Sequence, residues 1–92
     1  MLNDVTEIEH ELRSVIQTKH QLEEQIVTLQ QRLHESEIWL KMGTPTTDGY
    51  HEMWEDVLAL HIYIAELYTQ VRCLDDVLLE LTLEQAGLVS SR

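Results

Sequence analysis

The sequence predicts an all-α protein in which two long helices fold back on each other as an antiparallel, coiled-coil-like hairpin. In two stretches, apolar residues recur at alternating spacings of three and four, which keeps one face of a helix continuously apolar. Between these stretches lies the break at 43–49, which contains Pro45 and two of the three glycines. Two helices of matched length joined by so short a loop pack antiparallel.

The first helix is predicted over residues 4–42. Asp4 with Glu7 three residues later resembles a capping box at a helix start. Lys41 suits the negative end of the helix dipole, and Gly43 is expected to take the left-handed conformation that ends a helix. The apolar face, which we call the seam, has polar residues at two positions: Val5, Ile8, Leu12, Val15, Lys19, Leu22, Ile26, Leu29, Leu33, Ser36 and Leu40.

The second helix is predicted over residues 50–86. Thr47 or Asp48 is the expected cap at its start, and Gly87 is the expected cap at its end. Residues 87–92 are expected to be a frayed tail. Its seam is apolar throughout: Tyr50, Met53, Val57, Leu60, Ile64, Leu67, Val71, Leu74, Leu78 and Leu81.

Folding about the loop pairs residues whose numbers add up to about 93. Lys19 then faces Leu74 and lies near Asp75 and Asp76, whose carboxylates would compensate its charge. A polar residue at one seam position commonly fixes the register of a coiled coil. We predict a single helical-hairpin domain over residues 1–92.

The second helix carries another apolar stripe that a two-helix hairpin cannot cover. An exposed stripe of this size needs a neighbour. We expect a second copy of the chain, which would complete a four-helix bundle; a different partner protein is the alternative. His61 lies in this stripe, so its protonation could alter the contact; association compared above and below the range in which histidine titrates would test this. The predicted self-association residues are Trp54, Leu58, His61, Ile62, Ala65 and Tyr68.

Aromatic and methionine residues concentrate at the loop end of the hairpin, where they are either a plug for the bundle or a binding surface. Both tryptophans and two of the three methionines are found there. Such residues are enriched at the energetic centres of interfaces. The candidate partner-binding residues, with nearby acids, are Trp39, Met42, Tyr50, Met53, Glu52, Glu55 and Asp56.

The charge balance restricts the class of partner. The formal net charge is −11, from 17 acidic against 6 basic residues. A phosphate backbone or an anionic membrane requires a basic surface, so we expect neither direct nucleic-acid binding nor membrane binding. A charged partner of this chain would be a basic protein.

The sequence suggests a cytoplasmic protein, or one made in the host cytoplasm if its source is a virus. The first residues are acidic, unlike a secretory signal. The single cysteine, Cys73, excludes a disulfide within the chain.

The pattern of reactive residues predicts no enzymatic activity, no cofactor and no metal. Glu7 and His10 have the Glu-x-x-His spacing of di-metal bundles, but a second such motif is missing and both residues fall outside the seam. Cys73 has no histidine or other suitable base within a helical turn, so it is interpreted as a small, semi-buried filler.

These observations favour a small acidic protein-protein interaction module, acting as a homodimeric regulator or adaptor without catalysis. The alternative is an acidic inhibitor of the phage type, which imitates nucleic acid and occupies a DNA- or RNA-binding protein. Salt would separate the two, because the affinity of a mimic falls steeply as salt rises.

Overall fold

The computed structural model describes residues 2–90 of the chain, with side chains over residues 5–87. Within that span the chain forms two α-helices of 41 residues each, α1 (Leu2–Met42) and α2 (Tyr50–Ser90). They pack against each other as a helical hairpin, and residues 2–90 contain no strand. The predicted all-α fold class is therefore confirmed.

The predicted seam is the side on which the two helices meet. Every seam residue of both helices is buried or half-buried. Over residues 5–87, the buried hydrophobic side chains all belong to it: Ile26, Leu40, Val57, Leu60, Ile64, Leu67 and Leu81. Apolar spacing alone therefore predicted which face of each helix turns inward.

The turn between the helices differs from the predicted caps. Gly43 donates its backbone N–H to the carbonyl of Trp39 (3.0 Å), which continues the helical pattern. The left-handed residue is instead Gly49, with φ of 79°, so the predicted left-handed cap at Gly43 is wrong. A Cβ at residue 43 would lie 3.4 Å from the Tyr50 ring, which is ordinary van der Waals contact, so space does not require glycine there.

The start of α2 also follows local hydrogen bonding that the sequence pattern did not indicate. The hydroxyl of Thr47 accepts a hydrogen bond from the backbone N–H of Thr44 (2.9 Å), which ties it to the turn. The carbonyl of Gly49 accepts the first helical bond, from Met53 N–H (2.9 Å). Gly49, rather than Thr47 or Asp48, therefore stands directly before α2.

The outer ends of both helices extend beyond their predicted bounds. α1 begins at Leu2, and the side chain of Asp4, the predicted cap, lies outside the described residues. α2 continues through Gly87 to Ser90, so the predicted cap at Gly87 is wrong, whereas the fraying expected for residues 87–92 stays a prediction. A growing helix gains one hydrogen bond for each residue it fixes, which offsets the cost of one glycine.

The chain divides into two compact units. The loop-end unit is Glu24–Thr69, and the terminal unit comprises the described parts of Met1–Glu23 and Gln70–Arg92. In the terminal unit, Lys19 Nζ lies 2.6 Å from Asp75 Oδ1, which confirms the predicted proximity of these two residues. The prediction that residues 1–92 form a single domain stays a prediction.

Candidate interaction surface

The second apolar stripe of α2, which runs along one flank of the seam, is open to solvent in the single chain. Trp54 is 44% exposed, Leu58 54%, Ile62 62% and Tyr68 47%, and Ala65 is also exposed. The same helix buries Val57, Leu60, Ile64 and Leu67 on the adjacent seam face. The hairpin therefore satisfies one apolar face of α2 and leaves the second uncovered, as the two-stripe pattern predicts.

Polar contacts along one flank of the seam hold part of this surface in place. The flank carries the residues that directly follow seam residues, which include Tyr68 and His61 in α2 and Gln30 and Glu37 in α1. Gln30 Nε2 donates a hydrogen bond to the Tyr68 hydroxyl (2.7 Å). His61 Nε2 lies 3.3 Å from Glu37 Oε1, an ion pair whenever the imidazole is protonated.

The opposite flank repeats the same type of contact. Gln25 Nε2 donates to the Tyr63 hydroxyl (2.9 Å), and these two residues directly precede the seam residues Ile26 and Ile64. Both tyrosines are thus tied to α1 by a glutamine, one on each side of the seam. A ring fixed in this way loses less conformational freedom when a partner covers it.

A groove of about 480 Å³ opens at the loop end of the exposed face. Its apolar lining comes from both helices, and its polar lining is Glu37 and Lys41 of α1 with His61 of α2. The lining residues are Glu37, Leu40, Lys41, Tyr50, Trp54, Val57, Leu58 and His61. Apolar concavities with a few charged residues are typical of sites that receive an apolar side chain.

The structure separates the predicted partner-binding residues rather than gathering them on one surface. Tyr50 lines the groove beside Trp54, whereas Trp39 and Met42 line a second concavity of about 210 Å³ with Gly43 and Thr47. Met53 is half-buried in the seam. The acids of the set are all exposed: Glu52, Glu55 and Asp56.

Sequence reasoning missed Glu37, Lys41 and the two glutamine–tyrosine pairs. Their signal was present in the seam register, because residues that follow seam positions meet across one flank of an antiparallel pair. The interpretation of Cys73 as a semi-buried filler is wrong, because this thiol is exposed. The pH sensitivity suggested for His61 stays a prediction.

Two other kinds of feature, a metal site and a membrane-spanning helix, are not found among the described residues. Within the described residues, no three His, Cys, Asp or Glu side chains are grouped so as to hold a metal ion. Neither helix has, over the part described, an apolar run long enough to cross a bilayer. Comparison with protein-family models, with curated proteins and with solved structures finds no match for this chain.

Proposed function

We propose that this chain is a small acidic protein-protein interaction module, a homodimeric regulator or adaptor without catalytic activity. The observation that carries the proposal is the open apolar face of α2. Trp54, Leu58 and Ile62 are each between 44% and 62% exposed on a helix whose seam face is buried. Burying such side chains contributes about 25 cal/mol for each Å² of apolar surface removed from water.

A second copy is the partner that this face favours. Each copy supplies the same unfilled stripe, so one contact related by a two-fold axis covers both. The result is a four-helix bundle with the α2 helices inside and the α1 helices outside. Three residues of the stripe, Trp54, Leu58 and His61, also line the groove, so the same contact would close it.

The charge of the chain indicates which class of further partner such a dimer would recruit. The loop-end unit carries eight acidic and two basic residues, and its acids include the exposed Glu52, Glu55 and Asp56. A surface of this sign attracts basic proteins and accelerates their encounter. The alternative role, a nucleic-acid mimic, is supported by charge alone and leaves the apolar face without a purpose.

Light scattering on three proteins tests the dimer. The wild type should have twice the mass of one chain, and Ile62→Glu should be a monomer, because a carboxylate buried without a partner costs several kcal/mol. Ile38→Glu is the matched control: Ile38 is also an exposed helical isoleucine, at 44%, and lies on the outer side of α1. Both new carboxylates fall three or four residues from an existing glutamate.

Circular dichroism should give the same helix content for all three proteins. The proposal fails if the wild type is a monomer at high micromolar concentration. It fails equally if Ile38→Glu dissociates the dimer as fully as Ile62→Glu, because the contact would then not be specific to the α2 face.

A further inference from the structure

We propose that the concavity beside Trp39 and Met42 is the docking site for a basic segment of a partner protein. This segment inserts one apolar side chain there and places its lysines or arginines along the same flank of the loop-end unit. The inference rests on the proposed interaction role, for which it names the surface and the chemistry of the partner, and it does not use the apolar stripe of α2. The concavity and the stripe lie on opposite flanks of the seam, because Trp39 directly precedes the seam residue Leu40 whereas Trp54 directly follows Met53.

The concavity is apolar, open to solvent and suited to a single side chain. Its volume is about 210 Å³, and Gly43 and Thr47 complete its lining. Small-molecule sites usually have volumes of about 300–1,000 Å³, so a side chain of a protein fits this one better. Met42 is 82% exposed, more than any other large hydrophobic side chain over residues 5–87. Methionine adapts to the shape of a bound group, and tryptophan is enriched at the energetic centres of interfaces.

The two flanks of the loop-end unit differ in charge, and this difference indicates the chemistry of the partner. On the flank of the concavity, four acidic residues and one basic residue, Arg32, directly precede seam residues. On the flank of the stripe, one acidic and one basic residue, Glu37 and Lys41, directly follow seam residues. A basic partner is therefore attracted to the flank that carries the concavity, which we call the acidic flank. Its acids are all exposed: Glu35, Glu52, Asp56 and Glu66.

These carboxylates lie beside the concavity and are not neutralised within the chain. Glu35 is four residues before Trp39, so the two side chains are neighbours on the surface of α1. From Glu52 to Glu66 the acidic flank extends about 21 Å along α2, the length of a helix of about 14 residues. Among residues 5–87, none of the four carboxylates has a hydrogen-bond or ion-pair partner. A basic segment therefore pairs with them without displacing an existing contact.

Two synthetic lysine-rich helical peptides of about 14 residues test the site. One carries a leucine near each end, so that either orientation presents a leucine to the concavity, and the other has alanine at both positions. Each peptide is labelled with a fluorophore and titrated with the protein in about 0.15 M salt, and fluorescence anisotropy gives the dissociation constant. We expect the leucine peptide to bind about tenfold more tightly than the alanine peptide, because an apolar pocket discriminates to this degree between side chains of different size.

Two single variants show which surface receives the leucine. Met42→Ser should abolish the preference for the leucine peptide. Ile62→Ser is the matched control on the stripe, since Ile62 is also an exposed helical residue, at 62%, and it should leave the preference unchanged. Circular dichroism should give the same helix content for both variants and the wild type.

Two double variants of equal net charge test the acidic flank. Glu52→Gln with Asp56→Asn removes two carboxylates that are four residues apart on this flank, and Glu80→Gln with Glu84→Gln removes two with the same spacing in the terminal unit. The first should weaken binding of the leucine peptide by about fivefold, since exposed ion pairs contribute modestly, and the second by less than about twofold.

Every other outcome overturns the docking site. Equal binding of the two peptides, or equal losses in the two double variants, shows attraction by net charge alone. A preference that is lost in Ile62→Ser and kept in Met42→Ser places the peptide on the stripe, and absence of binding removes the site. The homodimer is judged separately, because light scattering measures the mass of the protein without peptide, so the failure of one proposal is distinguished from the failure of the other.

Discussion

The loop-end unit and the terminal unit are built from the same seam pattern, but they bury it differently. Among the side chains described, Ile26, Leu40 and four residues of α2 are buried in the loop-end unit, whereas Leu81 alone is buried in the terminal unit. The other seam residues of the terminal unit are half-buried. A regular apolar spacing therefore specifies which face turns inward and does not specify how deeply it is covered.

The flanks account for much of the difference. In the loop-end unit, the hydroxyls of Tyr63 and Tyr68 accept hydrogen bonds across the seam from Gln25 and Gln30. Long flanking side chains cover the edges of a seam that two helices alone leave open to water.

The terminal unit instead has a lysine in its seam. Lys19 is paired with Asp75, and their side chains are 27% and 49% exposed. A charged group needs water or a counter-ion near it, so the seam around Lys19 stays accessible. The loop-end unit is therefore expected to be the more stable part, and it is also the part that carries the candidate interaction surface.

Truncating equivalent leucines should give the largest difference between the units. Leu67 and Leu74 occupy the same heptad position one repeat apart, and Leu67 is 3% exposed whereas Leu74 is half-buried. We expect Leu67→Ala to lower the free energy of unfolding by about 3 kcal/mol and Leu74→Ala by about half as much, because the cost follows the buried volume lost. Urea unfolding at one fixed protein concentration measures both.

The two variants act as controls for each other, since the residue type, the helix and the heptad position are the same. Equal losses would show that the terminal unit is as tightly packed as the loop-end unit. The distinction drawn from burial would then be wrong.

The fold could be predicted from the sequence because burying an apolar face contributes a large free energy, and the residues of that face recur at a regular spacing. Many apolar positions indicate each helix, so the seam was predicted in full even though it contains the polar residues Lys19 and Ser36. The ends of the helices were predicted poorly, because a single capping residue, such as Gly43, Thr47 or Gly87, contributes only about 1 kcal/mol or less to where a helix ends. Hydrogen bonds in the turn contribute a similar free energy, so they can change the residue at which a helix begins or ends.

The candidate surface was predicted in part for the same reason. The stripe from Trp54 to Tyr68 follows from periodicity. The groove does not, because its other wall, at Glu37 and Lys41, comes from α1 and depends on how the two helices are aligned. Trp39 and Met42 were grouped with Tyr50 because they are close in the sequence, and proximity along the chain does not tell on which flank a residue lies.

Substituting one glycine in each unit should give opposite and smaller effects. Gly49, in the loop-end unit, has φ of 79°, a conformation that costs an alanine about 1 kcal/mol. Gly87 lies within α2 in the terminal unit, and a Cβ there meets no atom within 4 Å. We expect Gly49→Ala to lower the free energy of unfolding by about 1 kcal/mol and Gly87→Ala to raise it by about 0.5–1 kcal/mol.

Thermal and urea unfolding measure both glycine variants. A loss of stability in Gly87→Ala would contradict the continuous helix through residue 87 and restore the left-handed cap that the sequence suggested. A gain would also reduce the difference in stability between the two units, because this substitution stabilises the terminal unit.

The ion pair of the terminal unit should give the smallest effect, and pH identifies it. The hydrogen bond from Lys19 to Asp75 raises the pKa of Lys19 above its usual 10.5. Because the folded chain holds this proton more tightly than the unfolded chain, the pair stabilises the fold at neutral pH, and its contribution is lost as pH rises through the raised pKa. Asp75→Asn should therefore be less stable than the wild type at neutral pH, and the difference should shrink above pH 10.5 and disappear once the pH exceeds the raised pKa of Lys19. Asp76→Asn is the matched control, since it removes the neighbouring carboxylate and leaves the pair intact. Groups that titrate elsewhere in the chain cancel in the comparison of unfolding curves, so a difference that persists unchanged into alkaline solution would mean that Asp75 acts through something other than the charge of Lys19.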